Sequence, residues 1–270
     1  MSLPNEPTRR FADRVAIVTG SGRGIGFQVA SRMLAEGARV VLNDIDSDRL
    51  DAAADELSSP DSVMTSLTDV TNPAAVTEMI ARTIDRFGQI DILANIAGGS
   101  YGAEHMRLMD FNLDDWRRIF DLNLTSAFLC IQAVVPAMRS QGGGAIVTVS
   151  SSAGVRGEPG LWSPPYCAAK AGVQGLTRQV ALEYGHAGIR ANCVAPGDVL
   201  SERTYEYLRG EVAGYFEDEA TALDRYRKYP IPRFGEPSEQ ASVICFLASD
   251  DASYMTGETI NVNGGFHVAP

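Results

Sequence analysis

Short apolar runs recur along the chain, each followed by a longer stretch of helical periodicity, and this alternation limits the possible folds more than any other feature. A strand covered on one face alternates apolar and polar residues, whereas one that reads apolar throughout is covered on both. The candidate strands lie at 14–19, 38–43, 62–67, 91–94, 144–150, 189–194 and 259–262. Helical patterns separate them at 25–36, 47–57, 73–87, 114–139, 165–185 and 237–248. Gly37 closes the first helix, Ser47 is expected to cap the second, Asn72-Pro73 opens the third, and a bend is expected near Asn123. The repeated order predicts an α/β fold, a Rossmann-like doubly wound parallel sheet with helices on both faces and right-handed crossovers. With no linker or repeat in view, residues 12–270 read as one domain behind a loose leader at 1–11, and the irregular stretch 195–235 reads as a substrate lid.

Charge and cysteine usage narrow the function classes. Thirty-four acidic residues against 23 basic ones leave a net charge of −11. No basic patch is then available for nucleic acid or an anionic membrane. Cys130, Cys167, Cys193 and Cys245 form no Cys-x-x-Cys pair, and the three histidines are scattered, so no metal site is expected. The cysteines read as small buried hydrophobes in a reducing compartment, which points to the cytoplasm. No apolar run reaches membrane-span length, and residues 1–10 lack the apolar core of a signal peptide.

Between the first strand and the first helix lies Thr19-Gly20-Ser21-Gly22-Arg23-Gly24-Ile25-Gly26. Glycines there let the backbone turn tightly and approach a ligand, and the free N–H groups of the helix start then face a pyrophosphate. Asp44, with Ile45 after it, ends the second strand 18 residues past Gly26. A carboxylate at that place accepts both adenosine-ribose hydroxyls and repels a 2′-phosphate, which favours NAD over NADP. Arg23 is the opposing signal, because an arginine in the turn could meet a 2′-phosphate.

A second constellation is Tyr166-Cys167-Ala168-Ala169-Lys170, near the start of a long helix. Residues four apart share one helix face, so the phenol and the ammonium can point at one cavity. A tyrosine pKa of about 10 is too high for a good base at neutral pH, and a nearby cation lowers it. The pair could take a proton from an alcohol or give one to a ketone. Alone, this spacing is common on helix surfaces.

Together these residues resemble the short-chain dehydrogenase/reductase family over most of the chain, from about residue 12 to residue 266. The turn ending in Gly24-Ile25-Gly26 resembles the family's cofactor turn. Asp69-Val70 resembles the pair that meets the adenine amine, and Asn95-Ile96-Ala97-Gly98 resembles Asn-Asn-Ala-Gly with Ile for the second Asn. Pro196-Gly197 followed by Val199 and Ser201 resembles Pro-Gly-x-Ile-x-Thr with Ser for Thr. The resemblance implies a catalytic set of Asn123, Ser151, Tyr166 and Lys170. Tyr166 would be the general acid/base. Lys170 would lower its pKa and bind the nicotinamide ribose. Ser151 would bond the substrate oxygen, and Asn123 would hold a water linking Lys170 to solvent. Ser150, Ser151 and Ser152 are consecutive. Ser151 fits the motif if two residues are inserted within 156–165, and Ser152 is the alternative. A homotetramer is implied, with helices near 123–139 and 165–185 pairing across subunits.

Two segments, 98–112 and 199–235, are expected to set specificity. Tyr101, His105 and Trp162 fall in loops near the expected cavity, and Tyr205, Tyr207, Tyr215, Phe216, Tyr226 and Tyr229 lie in the second segment. The mixture suggests an apolar or aromatic secondary alcohol. Acidic lid residues (Glu202, Glu206, Glu211, Glu217, Asp218 and Glu219) argue against a polyanionic substrate. The expected activity is therefore NAD(H)-dependent interconversion of a secondary alcohol and a ketone. Two rivals remain: an NADPH-dependent 3-oxoacyl-thioester reductase of the same family, and a non-catalytic dinucleotide-binding protein.

Overall fold

Seven strands form one parallel sheet in a computed structural model: β1 (Val15–Thr19), β2 (Arg39–Asp44), β3 (Val63–Leu67), β4 (Ile92–Asn95), β5 (Gly144–Val149), β6 (Ile189–Pro196) and β7 (Thr259–Val262). Their order is β3-β2-β1-β4-β5-β6-β7. The structure describes residues 9–103, 106–157, 162–200, 202, 204 and 229–268. The chain winds outward from β1 to β3, returns to place β4 beside β1, and winds the other way. The strand order reverses between β1 and β4, and a crevice opens there beyond the carboxyl ends of both strands.

Among the described residues, seven α-helices cover the two faces: α1 (Gly24–Ala35), α2 (Ser47–Leu57), α3 (Pro73–Phe87), α4 (Leu113–Phe120), α5 (Ser126–Gln141), α6 (Pro164–Tyr184) and α7 (Pro237–Ala248). Alternate strand residues face opposite layers, so the core is double. Ala16 and Val18 pack with Val29, Met33 and Ile244 on the α1–α7 side. Val15 and Ile17 pack with Met79, Val134 and Met138 on the α3–α5 side. Cys130, Cys193 and Cys245 are buried free thiols, and burial pushes the Cys130 and Cys245 thiols up to about 12.

Several expectations need correction. The loose leader does not reach residue 11. Phe11 is buried in the core and Arg10 holds Glu36 at 2.6 Å, so residues 10 and 11 belong to the folded domain. Ser47 does not cap α2. Asp46 does, accepting from the Arg49 N–H at 3.1 Å. The bend near Asn123 is instead a wide π turn, Asp121–Thr125, that joins α4 to α5 without a break. Its causes are side chains inserted into the ladder: Asn123 Nδ2 donates to the Ile119 carbonyl at 2.8 Å, and Ser126 Oγ to that of Leu122 at 2.6 Å. The resulting helix, Leu113–Gln141, is long and apolar enough to cross a membrane by length and composition. In this fold its residues Ile131, Val134 and Met138 pack against the sheet.

Candidate active site

The glycine turn is shaped by contacts that exclude side chains. Gly20 and Gly24 have φ of +64° and +58°, in the left-handed region. A Cβ on Gly26 would strike the Gly20 carbonyl oxygen. Arg23 precedes α1 without a side-chain cap, and no acidic residue occupies the first turn. The helix start therefore offers free N–H groups and a positive dipole end to an anion. Ser21 is turned away from the cleft: its hydroxyl accepts from the Asn43 N–H at 2.8 Å and pins the turn to β2. Ile25 packs against the core.

Asp44 is held by three backbone donors. Oδ2 accepts from the Gly22 N–H at 3.0 Å, and Oδ1 accepts from Ile45 at 2.9 Å and Asp46 at 3.2 Å. Asp44 and Ile45 border a cleft of about 260 Å³ with Gly20, Arg23, Asp69, Val70, Ala97 and Gly98. Thr68, Arg49 and Leu122 also line it, and sequence reasoning missed all three. Ile45 is exposed and Val70 buried, so both can offer apolar surface at the adenosine end. Asp69 Oδ1 accepts from the Thr71 N–H and hydroxyl at 2.9 and 2.7 Å, which fixes its carboxylate at the rim. Thr19 Oγ1 accepts from the Ile96 and Ala97 N–H groups at 2.9 and 3.1 Å and locks this loop beside the turn. Asn95 itself is buried. A dinucleotide fits this set: the turn is open where side chains would intrude, the helix start is uncapped, and an oriented carboxylate stands at the far end.

Asn123, Lys170 and Tyr166 lie at the other end of the same loop. Lys170 is 3% exposed and its Nζ donates to the Val149 carbonyl at 2.8 Å. It lies 5.7 Å from the centre of the Tyr166 ring. Burial pulls its pKa from the usual 10.5 down to about 8. A Cβ on Gly98 would sit 2.9 Å from Asn123 Oδ1 and 3.0 Å from Lys170 Nζ, so only glycine lets this loop pass. Asn123 is buried and spends both amide hydrogens on backbone, at Gly99 O (2.7 Å) and Ile119 O (2.8 Å), while Oδ1 accepts from Gly99 N–H at 3.1 Å. Its side chain thus positions the Gly98-Gly99 loop against Lys170. Asn123→Ala is expected to cost about 1–3 kcal/mol in urea unfolding, because buried backbone groups lose their partners.

Three consecutive serines separate by their partners. Ser150 Oγ donates to the Lys170 carbonyl at 2.7 Å and accepts from Gln174 at 3.0 Å. Ser152 is fully buried and its hydroxyl has no partner among the described residues. Ser151 is half-buried and accepts from the Ala153 N–H at 3.1 Å, leaving its own hydrogen to donate. Tyr101 borders the cofactor cleft rather than a separate substrate cavity, with the Arg118 guanidinium 3.9 Å over its ring. Trp162 meets Phe266 edge-on at 5.7 Å, and Tyr229 meets the same ring at 5.1 Å. Phe266, from the end of the chain, was not anticipated. Pro196 ends β6, Gly197 N–H donates to Val262 O at 3.1 Å, and Val199 bridges to Gly235. His105, Ser201 and the lid aromatics 205, 207, 215, 216 and 226 lie outside the described residues.

Residues 20–267 match the family model described as enoyl-(acyl carrier protein) reductase. The BbsD subunit of (2S)-[(R)-hydroxy(phenyl)methyl]succinyl-CoA dehydrogenase from Thauera aromatica is 39% identical over 261 residues, 94% of this chain and 96% of that one. Levodione reductase from Leifsonia aquatica is 37% identical over 271 residues, 98% of each chain. A solved structure of 7α-hydroxysteroid dehydrogenase complexed with NADH and 7-oxo glycochenodeoxycholic acid is similar with a TM-score of 0.85 and 30% identity, over 97% of this chain and 98% of that one.

Proposed function

Since this chain belongs to the short-chain dehydrogenase/reductase family, oxidoreductases that act on hydroxyl and keto groups, we propose that it interconverts a secondary alcohol and a ketone with NAD(H), using Tyr166 as general acid/base. The observation that carries this reading is one continuous site: Asp44 stands at one end of the cleft, and Gly98 at the other touches the Asn123–Lys170 pair. When bound, the nicotinamide supplies the hydride acceptor or donor. In oxidation the Tyr166 phenolate takes the hydroxyl proton; in reduction the phenol returns it. The Lys170 ammonium favours the phenolate by its charge. Ser151 donates to the substrate oxygen as negative charge builds there. Gly20, Gly22, Arg23, Gly24 and Gly26 would cradle the pyrophosphate, Asp44 the adenosine ribose, and Asp69 and Val70 the adenine.

The Trp162–Phe266–Tyr229 cluster supports an apolar or aromatic substrate. A relative named for a hydroxy(phenyl)methyl group and a neighbour complexed with a 7-oxo bile acid are in keeping with that class. The second reading, an NADPH-dependent 3-oxoacyl-thioester reductase, is favoured by Arg23 in the turn and by the acyl-carrier-protein description of the matching model. We further place the enzyme in the cytoplasm as a homotetramer. A groove between α5 and α6 exposes Phe128 beside Ile131, Val135 and Leu176, which supports helix pairing between copies. A monomer by light scattering at micromolar concentration would contradict the assembly.

The cofactor assignment is tested by parallel fluorescence titration with NADH and NADPH. NADH is expected to bind at least about tenfold tighter, roughly 1.4 kcal/mol. Asp44→Ala is expected to lose most of that preference. Tighter NADPH binding by the unaltered protein would replace this reading with the thioester-reductase one.

A further inference from the structure

Two cations border the ribose end of the cleft, and each already has an acid. Arg23 Nη1 meets Glu202 Oε2 at 2.8 Å, and Arg49 Nε meets Asp46 Oδ2 at 3.3 Å. Asp44 serves neither in these contacts, because both of its oxygens face backbone N–H groups. We propose that Glu202 is a second cofactor-selecting acid, a positioning residue that holds the Arg23 guanidinium and so denies it to a 2′-phosphate. This deepens the NAD reading of the same site and rests on it.

The geometry separates this role from ordinary surface pairing. Arg23 is the residue immediately before α1 and lines the cleft with Asp44 and Ile45. Glu202 comes from the other half of the sheet, 179 residues away, just past Val199 and Leu200. Those residues are fastened by the Val199–Gly235 bridge and by the Leu200 N–H donating to the Gly235 carbonyl at 2.8 Å. The pair is partly exposed, with side chains 32% and 67% accessible, so it adds little to stability. Its effect is on where the charge sits. A guanidinium free in this turn is a good partner for a phosphate dianion. One already engaged by a carboxylate is not.

The test is the ratio Kd(NADPH)/Kd(NADH), read by fluorescence at one ionic strength for the unaltered protein, Glu202→Gln, Arg23→Ala and the double variant. Glu202→Gln is expected to lower the ratio by about tenfold, the size of a gained charge-assisted contact. In the Arg23→Ala background the same substitution is expected to change the ratio less than about twofold. A merely structural Glu202 would move both affinities together and leave the ratio in place, which overturns the proposal. An equal fall in both backgrounds also overturns it, because Glu202 would then act by repulsion alone. The ratio in the unaltered protein judges the NAD reading separately: a value below one defeats that reading, while the change on Glu202→Gln still judges Glu202.

Discussion

Tyr166→Phe is expected to reduce turnover by about 10²–10⁴-fold while NADH binding stays measurable by fluorescence. The substitution removes one oxygen atom and keeps the ring. Tyr166 lies in the first turn of α6, near buried Pro165 and Ala169, so the helix and its packing persist. What is lost is the group that exchanges a proton with the substrate oxygen. Ser151 remains and can still polarise that oxygen, but a neutral serine hydroxyl is too weak a base to take its proton at neutral pH. The defect should therefore fall on kcat far more than on KM. Steady-state kinetics with a ring-bearing secondary alcohol and NAD would show this. Full retention of turnover would defeat the assignment of Tyr166 and return the choice of base to open question among Ser151, Lys170 and solvent.

The sequence carried the frame of this molecule because its punctuation is chemical. α3 begins and ends where Asn72, Pro73 and Gly88 dictate: the Asn72 side chain accepts from the Ala74 and Ala75 N–H groups, and Gly88 takes φ of +80°. α7 is set in the same way by Pro237 and the reciprocal Glu236–Glu239 capping box. α2 shows where such signals fail. Asp46 and Ser47 are adjacent and both competent to cap, and periodicity does not choose between them. The structure chooses Asp46, whose own N–H is already held by Asp44.

The site was legible wherever a motif fixes backbone, and illegible wherever two distant side chains meet. The glycine turn and Asp44 are local in sequence, so their juxtaposition follows from one strand–turn–helix unit. The three serines are chemically identical in the sequence. Only their contacts, Ser150 with Lys170 and Gln174, Ser152 with nothing described, tell them apart. The Arg23–Glu202 pair and the Trp162–Phe266 contact join segments more than a hundred residues apart, and no periodicity encodes such a meeting. Asn123 is an intermediate case. Its place in the helix was marked, but the π turn depends on its amide competing for the Ile119 carbonyl.

Lys170→Met is the second large effect, and it separates catalysis from stability. Turnover should fall by about 10²-fold or more, since the variant keeps the bulk but not the charge that favours the phenolate. Stability should respond in a pH-dependent manner. The folded-state pKa of about 8 lies below the usual 10.5, because burial penalises the charged form. Between those values the unfolded chain binds more protons than the folded one, so stability of the unaltered protein rises with pH across that window. Below about pH 8 the ammonium is charged in both states, and the fold carries the full cost of burying it. At the upper end that cost is relieved by neutralisation, for a gain of about 2–3 kcal/mol. The variant has no group to titrate there. The stability of the unaltered protein minus that of the variant should thus increase by this amount between pH 7.5 and 10.5, other titrations being common to both. Urea unfolding at the two pH values measures it. A difference that stays constant would mean that Lys170 is solvated in the free protein. The lysine would then carry its charge beside Tyr166 at no cost to the fold.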